Sequence, residues 1–219
     1  IENPLIKSFT LTPKMFSAEL FHIMPLKASN YYRPLQTLSY ALDYSLFELN
    51  PLGFHLTNII LHIMNSVLVF VLLNLFTKDE RLAAVSAILF SLHPAQVEAV
   101  TYISGRADLL LGLFFILSLI LYIRHSDYAY TKRKCLYVLS LLFYVFALIS
   151  KEMALILPLV LVLYDLFETK IKFVNYIPFF ILSGIYLGLR FTIIKFVKFP
   201  FLFKDILLPK LQDTIKASV

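Results

Sequence analysis

The chain has 219 residues, of which 59% are hydrophobic and 16% charged, and its mean hydropathy is +0.79. This composition excludes an ordinary soluble domain and predicts an integral membrane protein built from helices. The net charge of +6 fits basic loops beside anionic lipid headgroups, and no basic groove lined by aromatic residues indicates a nucleic-acid partner.

The first 52 residues predict an extracytoplasmic loop that carries an amphipathic helix at about residues 34–49. Pro34 suits the first helical position, and Asn50-Pro51 follows the expected end. The leucines on one face of this helix should lie in the membrane interface, although a plain amphipathic connector is the alternative. Their spacing is helical: Leu35, Leu38, Leu42, Leu46 and Leu49. Arg33, next to Tyr32, lies where a guanidinium could bind a lipid phosphate.

Six apolar segments follow, and each is close to the roughly 20 residues that a helix needs to cross a bilayer. They predict a transmembrane bundle over residues 53–194, with an extracytoplasmic tail at 195–219. The expected spans are residues 53–76, 82–103, 105–124, 135–150, 152–167 and 172–194. Basic residues concentrate in the connections 77–81, 124–134 and 168–172, which predicts that these connections are cytoplasmic and that both ends lie outside.

The chain opens at Ile1 within a segment that we expect outside the cytoplasm. No signal peptide is visible there. We therefore expect a fragment, with at least one membrane helix before it and further chain after Val219.

The first expected span carries a polar stripe. His55, Asn58, His62 and Asn65 are spaced by three, four and three residues, so they share one helix face. Such a face should contact protein, either through interhelical hydrogen bonds or as the lining of a cavity. A metal site is less favoured, because the two histidines lie seven residues apart without a local third ligand.

The second expected span runs to His93, where Pro94 should kink or restart the helix. Glu98 lies about one turn further along and could act as a base, hold a cation or pair with an arginine. An ion pair between Glu98 and Arg106 is the simplest alternative. Asp108 opens the next helix, where the helix dipole stabilises a carboxylate whatever its function.

Lys151-Glu152 interrupts the apolar sequence on the same expected face, and Arg190 reaches that level on the last span. Snorkelling toward headgroups is the alternative for both cations. Asp165 falls at the opposite face, as an ordinary helix terminus would. Ionisable groups at membrane depth are costly and commonly functional, so this one-sided distribution favours chemistry at a bilayer surface.

Several motifs, taken in order, resemble the membrane part of the transmembrane and tetratricopeptide-repeat O-mannosyltransferases and of their bacterial relatives. The similarity covers roughly residues 1–195. It is carried by Tyr32-Arg33-Pro34-Leu35, Gly53-Phe54-His55 with Asn58 and His62, His93-Pro94 to Glu98-Ala99-Val100, Gly105-Arg106-Ala107-Asp108-Leu109, Lys151-Glu152 and Tyr164-Asp165.

The resemblance implies a polytopic helix bundle of the GT-C glycosyltransferase type. Such an enzyme moves a sugar, here mannose, from a polyprenyl-phosphate donor to a protein hydroxyl on the extracytoplasmic or luminal face. In such families the principal acidic residues lie in the first external loop, and Ile1-Glu2-Asn3-Pro4 resembles the stretch just after them. The resemblance therefore leads us to expect that the fragment lacks that pair and is inactive by itself.

The same resemblance assigns roles to the candidate residues. Cationic groups would stabilise the leaving phosphate, and carboxylates would act on hydroxyl groups. The phosphate-binding set is Arg33, Arg106, Lys151 and Arg190; the catalytic carboxylates are Glu98 and Asp108; the supporting set is Tyr32, His55, Asn58, His62, His93 and Glu152. A divalent metal is a possible cofactor, and a bacterial plasma membrane is favoured over an endoplasmic reticulum membrane.

Two other classes of protein remain open from the sequence. A transporter would need polar residues through the whole bilayer, whereas the middle and cytoplasmic halves of these spans are mostly Leu, Ile, Val and Phe. A non-catalytic membrane anchor of a repeat protein would tolerate alanine at every charged position named above.

Overall fold

The computed structural model describes residues 32–125, 130–168 and 173–193. Residues 1–31 of the loop expected at 1–52, and the tail expected at 195–219, therefore lie outside the described residues. Every regular element in the described part is helical, which confirms the all-α class. The α-helices are α1 (Pro34–Phe47), α2 (Pro51–Thr77), α3 (Glu80–Leu92), α4 (Ala95–Thr101), α5 (Arg106–His125), α6 (Tyr130–Ser150), α7 (Leu157–Phe167) and α8 (Ile177–Ile193). Short 3-10 turns lie at Ile103–Gly105, Glu152–Ile156 and Phe173–Asn175.

Neighbouring helices of the bundle run in opposite directions, and the two ends of the bundle can be defined from this arrangement. The Ser118 hydroxyl of α5 hydrogen-bonds the Ser140 carbonyl of α6 at 2.7 Å, and the Lys151 ammonium pairs with Asp108, so these two helices are antiparallel. Helices α2 and α7 run with α5, whereas α3 and α8 run with α6. We call the end at which α5 begins and α6 ends the proximal end, and the opposite end the distal end.

Helix α1 buries its polar face and exposes its apolar face. Gln36, Thr37 and Asp43 are at most 4% exposed, whereas Leu42 and Leu46 are 50% and 73% exposed. In water this arrangement would be unfavourable, because apolar side chains lose their hydrophobic stabilisation there. It suits a helix whose outer face lies in lipid and whose polar groups bind neighbouring helices.

The expected count of six spans is not confirmed. Among the described residues, three helical segments are long and apolar enough to cross a membrane: Pro51–Thr77, Ile103–His125 and Phe173–Thr192. Helices α3 and α4 add a fourth if this pair counts as one broken span, since it bends by 60°. Their apolar exteriors, together with the composition, make the chain an integral membrane protein.

The difference from six spans has identifiable causes. Pro94 lacks an amide N–H, so the helix expected at 82–103 ends at Leu92 and restarts at Ala95. The segment expected at 152–167 opens with a 3-10 turn and leaves α7 only 11 residues, about 16 Å of helix. The apolar part of α6 is the shorter segment Lys134–Ser150.

Candidate functional site at the proximal end

Arg106 begins α5 and is completely buried, with 0% of its side chain exposed. Its Nε donates to the Asn58 side-chain oxygen at 2.8 Å, and its Nη2 donates to the Phe54 carbonyl at 2.8 Å. The same nitrogen lies 2.5 Å from the Asp43 carboxylate, and Nη1 lies 3.5 Å from the Ser39 hydroxyl. Because protein groups contact all three guanidinium nitrogens, Arg106 joins α1, α2 and α5, and its complete burial keeps it away from any ligand at the surface of this structure.

The expected ion pair between Glu98 and Arg106 does not form. Asp43 holds the guanidinium instead, and the Asp43 carboxylate also accepts a hydrogen bond from the Thr57 hydroxyl at 2.8 Å. Glu98 lies exposed on α4. The short helix α4 presents Glu98 on its outside because Pro94 bends the chain just before it.

The polar stripe of α2 joins helices to one another. Asn58 donates to the carbonyls of Val100 and Tyr102 at 3.3 and 3.4 Å, and Asn65 donates to the Leu109 carbonyl at 2.9 Å. His62 Nε2 lies 3.1 Å from the Ser91 carbonyl on α3. These contacts correspond to the interhelical-bonding alternative, and they place Asn58 behind Arg106 as its support.

The two other candidate histidines lie apart from this network. His55 is half-buried near the start of α2, and His93 is exposed at the end of α3. The His93 Nδ1 accepts a hydrogen bond from the Ala95 amide at 3.1 Å, so it caps the break at Pro94. His93 therefore has a local structural role at the bend.

Five of the expected site residues meet in two ion-paired groups at the proximal end. Glu152 Oε1 lies 3.4 Å from Arg33 Nη2 and 3.9 Å from Arg190 Nη2. Its neighbour Lys151 pairs with Asp108. We call these five side chains, Arg33, Asp108, Lys151, Glu152 and Arg190, the proximal charge cluster. The beginning of α1, the beginning of α5, the turn after α6 and the end of α8 each contribute to it.

The proximal charge cluster carries three cations against two carboxylates and is only partly covered. Arg33, Lys151 and Arg190 side chains are 13%, 20% and 20% exposed, in contrast to the fully buried Arg106. A phosphate-bearing ligand at the surface could therefore reach these cations. Planar guanidinium groups suit phosphate oxygens because they offer paired N–H donors.

Glu152 is held in its charged form. Burial of the carboxyl raises its pKa, but a hydrogen bond with its own backbone and the charges of Arg33 and Arg190 outweigh that effect. The pKa of Glu152 consequently lies below its ordinary value of 4.5. An ionised Glu152 would orient the two arginines and limit the net positive charge of the site.

Two buried tyrosines lie near the arginines that pair with this carboxylate, since Tyr32 precedes Arg33 in the chain and Tyr186 lies one helical turn before Arg190. Tyr32 and Tyr186 are 5% and 4% exposed, and their ring centroids lie 6.5 Å apart. Burial raises the pKa of Tyr32 above its ordinary value. Tyr186 was not among the residues expected from the sequence, because a tyrosine within an apolar span resembles any other core residue.

The distal end holds a different polar group. Asp165 is 6% exposed, and one of its oxygens accepts hydrogen bonds from the Tyr122 and Tyr176 hydroxyls at 2.7 and 2.6 Å. The expectation of an ordinary helix terminus therefore missed a buried anchor that ties α7 to α5 and to the turn before α8. Asp43 was missed in the same way, although its place opposite the leucines of α1 was a usable signal.

A divalent metal has no evident site in the part of the chain that the structure describes. No group of three or more His, Cys, Asp or Glu side chains there could hold a metal ion. The carboxylates of the proximal charge cluster are engaged by cations from the protein.

Comparison with curated proteins gives several matches to the same kind of enzyme. This chain is 41% identical to human protein O-mannosyl-transferase TMTC3 over 93 residues, which are 42% of this chain and 10% of the relative. It is 37% identical to mouse protein O-mannosyl-transferase TMTC1 over 149 residues, which are 64% of this chain and 16% of the relative. It is 30% identical to protein O-mannosyl-transferase F38B6.6 of Caenorhabditis elegans over 160 residues, which are 71% of this chain and 22% of the relative.

These matches cover only between 10% and 22% of the length of the three relatives. No protein-family model matches the chain. No solved structure matches it either.

Proposed function

Since this chain is homologous to the transmembrane and tetratricopeptide-repeat O-mannosyltransferases, the family that its motifs predicted, we propose that it forms part of a membrane glycosyltransferase. The enzyme transfers mannose from a polyprenyl-phosphate donor to a protein hydroxyl. We assign the reaction to the extracytoplasmic or luminal face, at the proximal end. The donor, the acceptor and the face are parts of this proposal.

One observation carries the proposal beyond the names of the relatives. Arg33, Lys151 and Arg190 come from three separate segments, yet they gather at one end of a bundle whose outer surface is otherwise largely apolar. Partly exposed cations at a lipid interface suit a ligand with a lipid tail and a phosphate head. In a transfer reaction they would stabilise the negative charge that develops on the departing phosphate.

The chemistry is an inverting substitution at the anomeric carbon. A carboxylate takes the proton of the acceptor hydroxyl as its oxygen forms a bond to that carbon. The bond from the anomeric carbon to the phosphate oxygen breaks, and the lipid phosphate leaves with the electron pair. We assign Glu98 and Asp108 to the carboxylate side of this chemistry, as the base or by positioning hydroxyl groups.

The proposal gives Arg106 a different role from the other cations. A completely buried guanidinium with bonded nitrogens can fix the start of α5, and hence Asp108 two residues later, but it has no face toward a donor. Asn58 supports Arg106 by accepting a hydrogen bond from it, and Tyr32 lies next to Arg33, which pairs with Glu152. We also propose that a divalent metal takes part in the reaction, which is tested by adding a chelator to the transfer assay.

The proposal is tested by transfer of radiolabelled mannose from polyprenyl-phosphate-mannose to peptide acceptors by the full-length protein in nanodiscs. Arg190→Ala and Glu98→Ala should each lower the rate of transfer by about a hundredfold or more, the usual effect of losing a donor to a developing charge or a general base. Adding EDTA to the wild-type reaction reports on a metal.

Arg81→Ala is the matched control, because it removes an exposed cation at the start of α3, away from the proximal end. It should leave transfer unchanged. A folded wild-type protein that transfers none of several polyprenyl-linked sugars would overturn the proposal and favour transport or anchoring.

A further inference from the structure

Two buried polar atoms beside the paired arginines have no hydrogen-bond partner among the described residues. One is the hydroxyl oxygen of Tyr186, whose side chain is 4% exposed, and the other is Glu152 Oε2. Glu152 uses only its other oxygen, Oε1, for Arg33 and Arg190. Tyr186 lies one helical turn before Arg190 on α8, and its ring centroid lies 6.5 Å from that of Tyr32, the neighbour of Arg33. Because both arginines contact Glu152 Oε1, the two unpaired atoms lie in the same region of the proximal end.

Other buried side-chain atoms among the described residues, such as Gln36 Oε1 and Asn65 Oδ1, also lack a hydrogen-bond partner, but the Tyr186 hydroxyl and Glu152 Oε2 lie close to partly exposed cations. An unpaired polar group that is shielded from water costs free energy, and nearly all such groups find a partner. Two of them at one place, next to partly exposed cations, indicate a ligand that completes their hydrogen bonds.

The chemistry of the two atoms selects the ligand. An ionised carboxylate oxygen only accepts hydrogen bonds, and a phenol both donates and accepts. A phosphate oxygen cannot donate to Glu152, and its charge would be repelled there. A group with neighbouring hydroxyls can donate to Glu152 Oε2 and accept from, or donate to, Tyr186.

We propose that Glu152 Oε2 and the Tyr186 hydroxyl bind hydroxyl groups of the donor sugar, adjacent to the phosphate-binding arginines. This inference rests on the proposed function, since it divides one donor between two subsites. Arg33 and Arg190 take the phosphate, while Glu152 and Tyr186 take the sugar. Glu152 thus both orients the two arginines through Oε1 and contacts the sugar through Oε2.

The test compares two ligands that differ only in the sugar. Binding of polyprenyl-phosphate-mannose and of polyprenyl phosphate is measured with the full-length protein in nanodiscs. For Tyr186→Phe we expect about tenfold weaker binding of the mannose-bearing lipid, the effect of one lost hydrogen bond to a bound ligand, and unchanged binding of the bare lipid phosphate. Glu152→Gln should weaken binding of the mannose-bearing lipid more than that of the bare phosphate.

Tyr144→Phe is the matched control. Tyr144 is also buried, but its hydroxyl is bonded to the Ser183 hydroxyl of α8 at 2.6 Å. Its replacement should lower the melting temperature and leave both affinities unchanged. Tyr186→Phe removes an oxygen with no partner in the protein, so it should not lower the melting temperature.

The possible results distinguish a failure of the proposed function from a failure of the sugar subsite. If the wild-type protein binds neither lipid, both the proposed function and the sugar subsite are overturned. Binding of both lipids with equal losses, or with none, in Tyr186→Phe would leave the function standing and overturn the sugar subsite. A raised KM for the peptide acceptor with unchanged donor affinity would place the acceptor hydroxyl there instead, which also overturns the inference.

Discussion

Arg106 and Arg190 show how the surroundings of one residue type decide its role. Arg106 is 0% exposed and faces Asp43, Asn58 and a backbone carbonyl, whereas Arg190 is 20% exposed and faces a carboxylate that it shares with Arg33. A buried, fully bonded guanidinium stabilises the fold only while all its partners are present. A partly exposed one can exchange a protein partner for a ligand.

Arg106→Ala should therefore destabilise the protein by about 3–5 kcal/mol, because it leaves the Asp43 carboxylate buried without its counter-charge. Arg106→Lys should recover little, since an ammonium cannot reproduce the forked donors to Asn58 and Phe54. Thermal unfolding of the purified protein in detergent measures both changes.

The pair can be checked with a double-mutant cycle. Asp43→Ala combined with Arg106→Ala should cost less than the sum of the two single changes, because the double variant has no unpaired charge. Additive costs would mean that the two side chains do not interact in the folded protein.

At the scale of elements, the junction between α4 and α5 is a close backbone contact near the site. Gly105 ends the 3-10 turn that leads into Arg106, and a Cβ atom there would lie 2.7 Å from the Ala99 carbonyl oxygen and 2.8 Å from its Cα. Those neighbours are backbone atoms of α4, which cannot rotate away. The glycine therefore lets α4 fold back closely against the start of α5.

Gly105→Ala should cost about 1–3 kcal/mol, the usual penalty for forcing extra volume into a packed contact. The shift should also move Asp108, which lies one turn into α5, so transfer should fall with stability. Melting temperature and transfer rate are the two measurements.

Gly184→Ala on α8 is the control for this substitution. A Cβ at Gly184 would meet nothing within 4 Å. Alanine also favours helix over glycine by roughly 1 kcal/mol, so this variant should be neutral or slightly more stable. Equal destabilisation by both changes would show that the α4 contact is not what requires glycine at position 105.

At the scale of the whole molecule, charge is divided between the two ends. The proximal end holds the proximal charge cluster, and the distal end holds the buried Asp165 with its two tyrosines. Helix α6 has 21 residues, about 31 Å of helix, and it runs from one end to the other. We expect the two ends to lie on opposite faces of the membrane.

Cysteine labelling tests this expectation. Cys135, which is exposed near the start of α6, reports on the distal end. Ser104→Cys in a Cys135→Ser background reports on the proximal end, because residue 104 is exposed before α5. A membrane-impermeant maleimide added to sealed cells or vesicles should label one cysteine, and the other only after permeabilisation. Labelling of both from the same side would contradict the two-sided arrangement.

Much of this architecture was accessible from local sequence patterns. The apolar segments predicted membrane helices because length and hydrophobicity are properties of consecutive residues. Pro94 predicted the break between α3 and α4, and the spacing from His55 to Asn65 predicted a face directed toward protein. The sequence also predicted that Arg33, Lys151, Glu152 and Arg190 lie at one level. The count of six spans was not confirmed, because hydrophobicity alone does not tell a long straight helix from a bent or interrupted one.

What the sequence determined by itself was the class of molecule, a resemblance to one enzyme family, the approximate helices and the residues available for chemistry. Only the tertiary structure decided which charges neutralise one another. Asp43, rather than Glu98, holds Arg106, and Glu152 reaches Arg33 across 119 positions of sequence. Such pairings depend on how helices pack, because residues far apart in the chain meet only when the bundle forms. The same packing buried Tyr186 beside Glu152 and left two polar atoms there for a ligand.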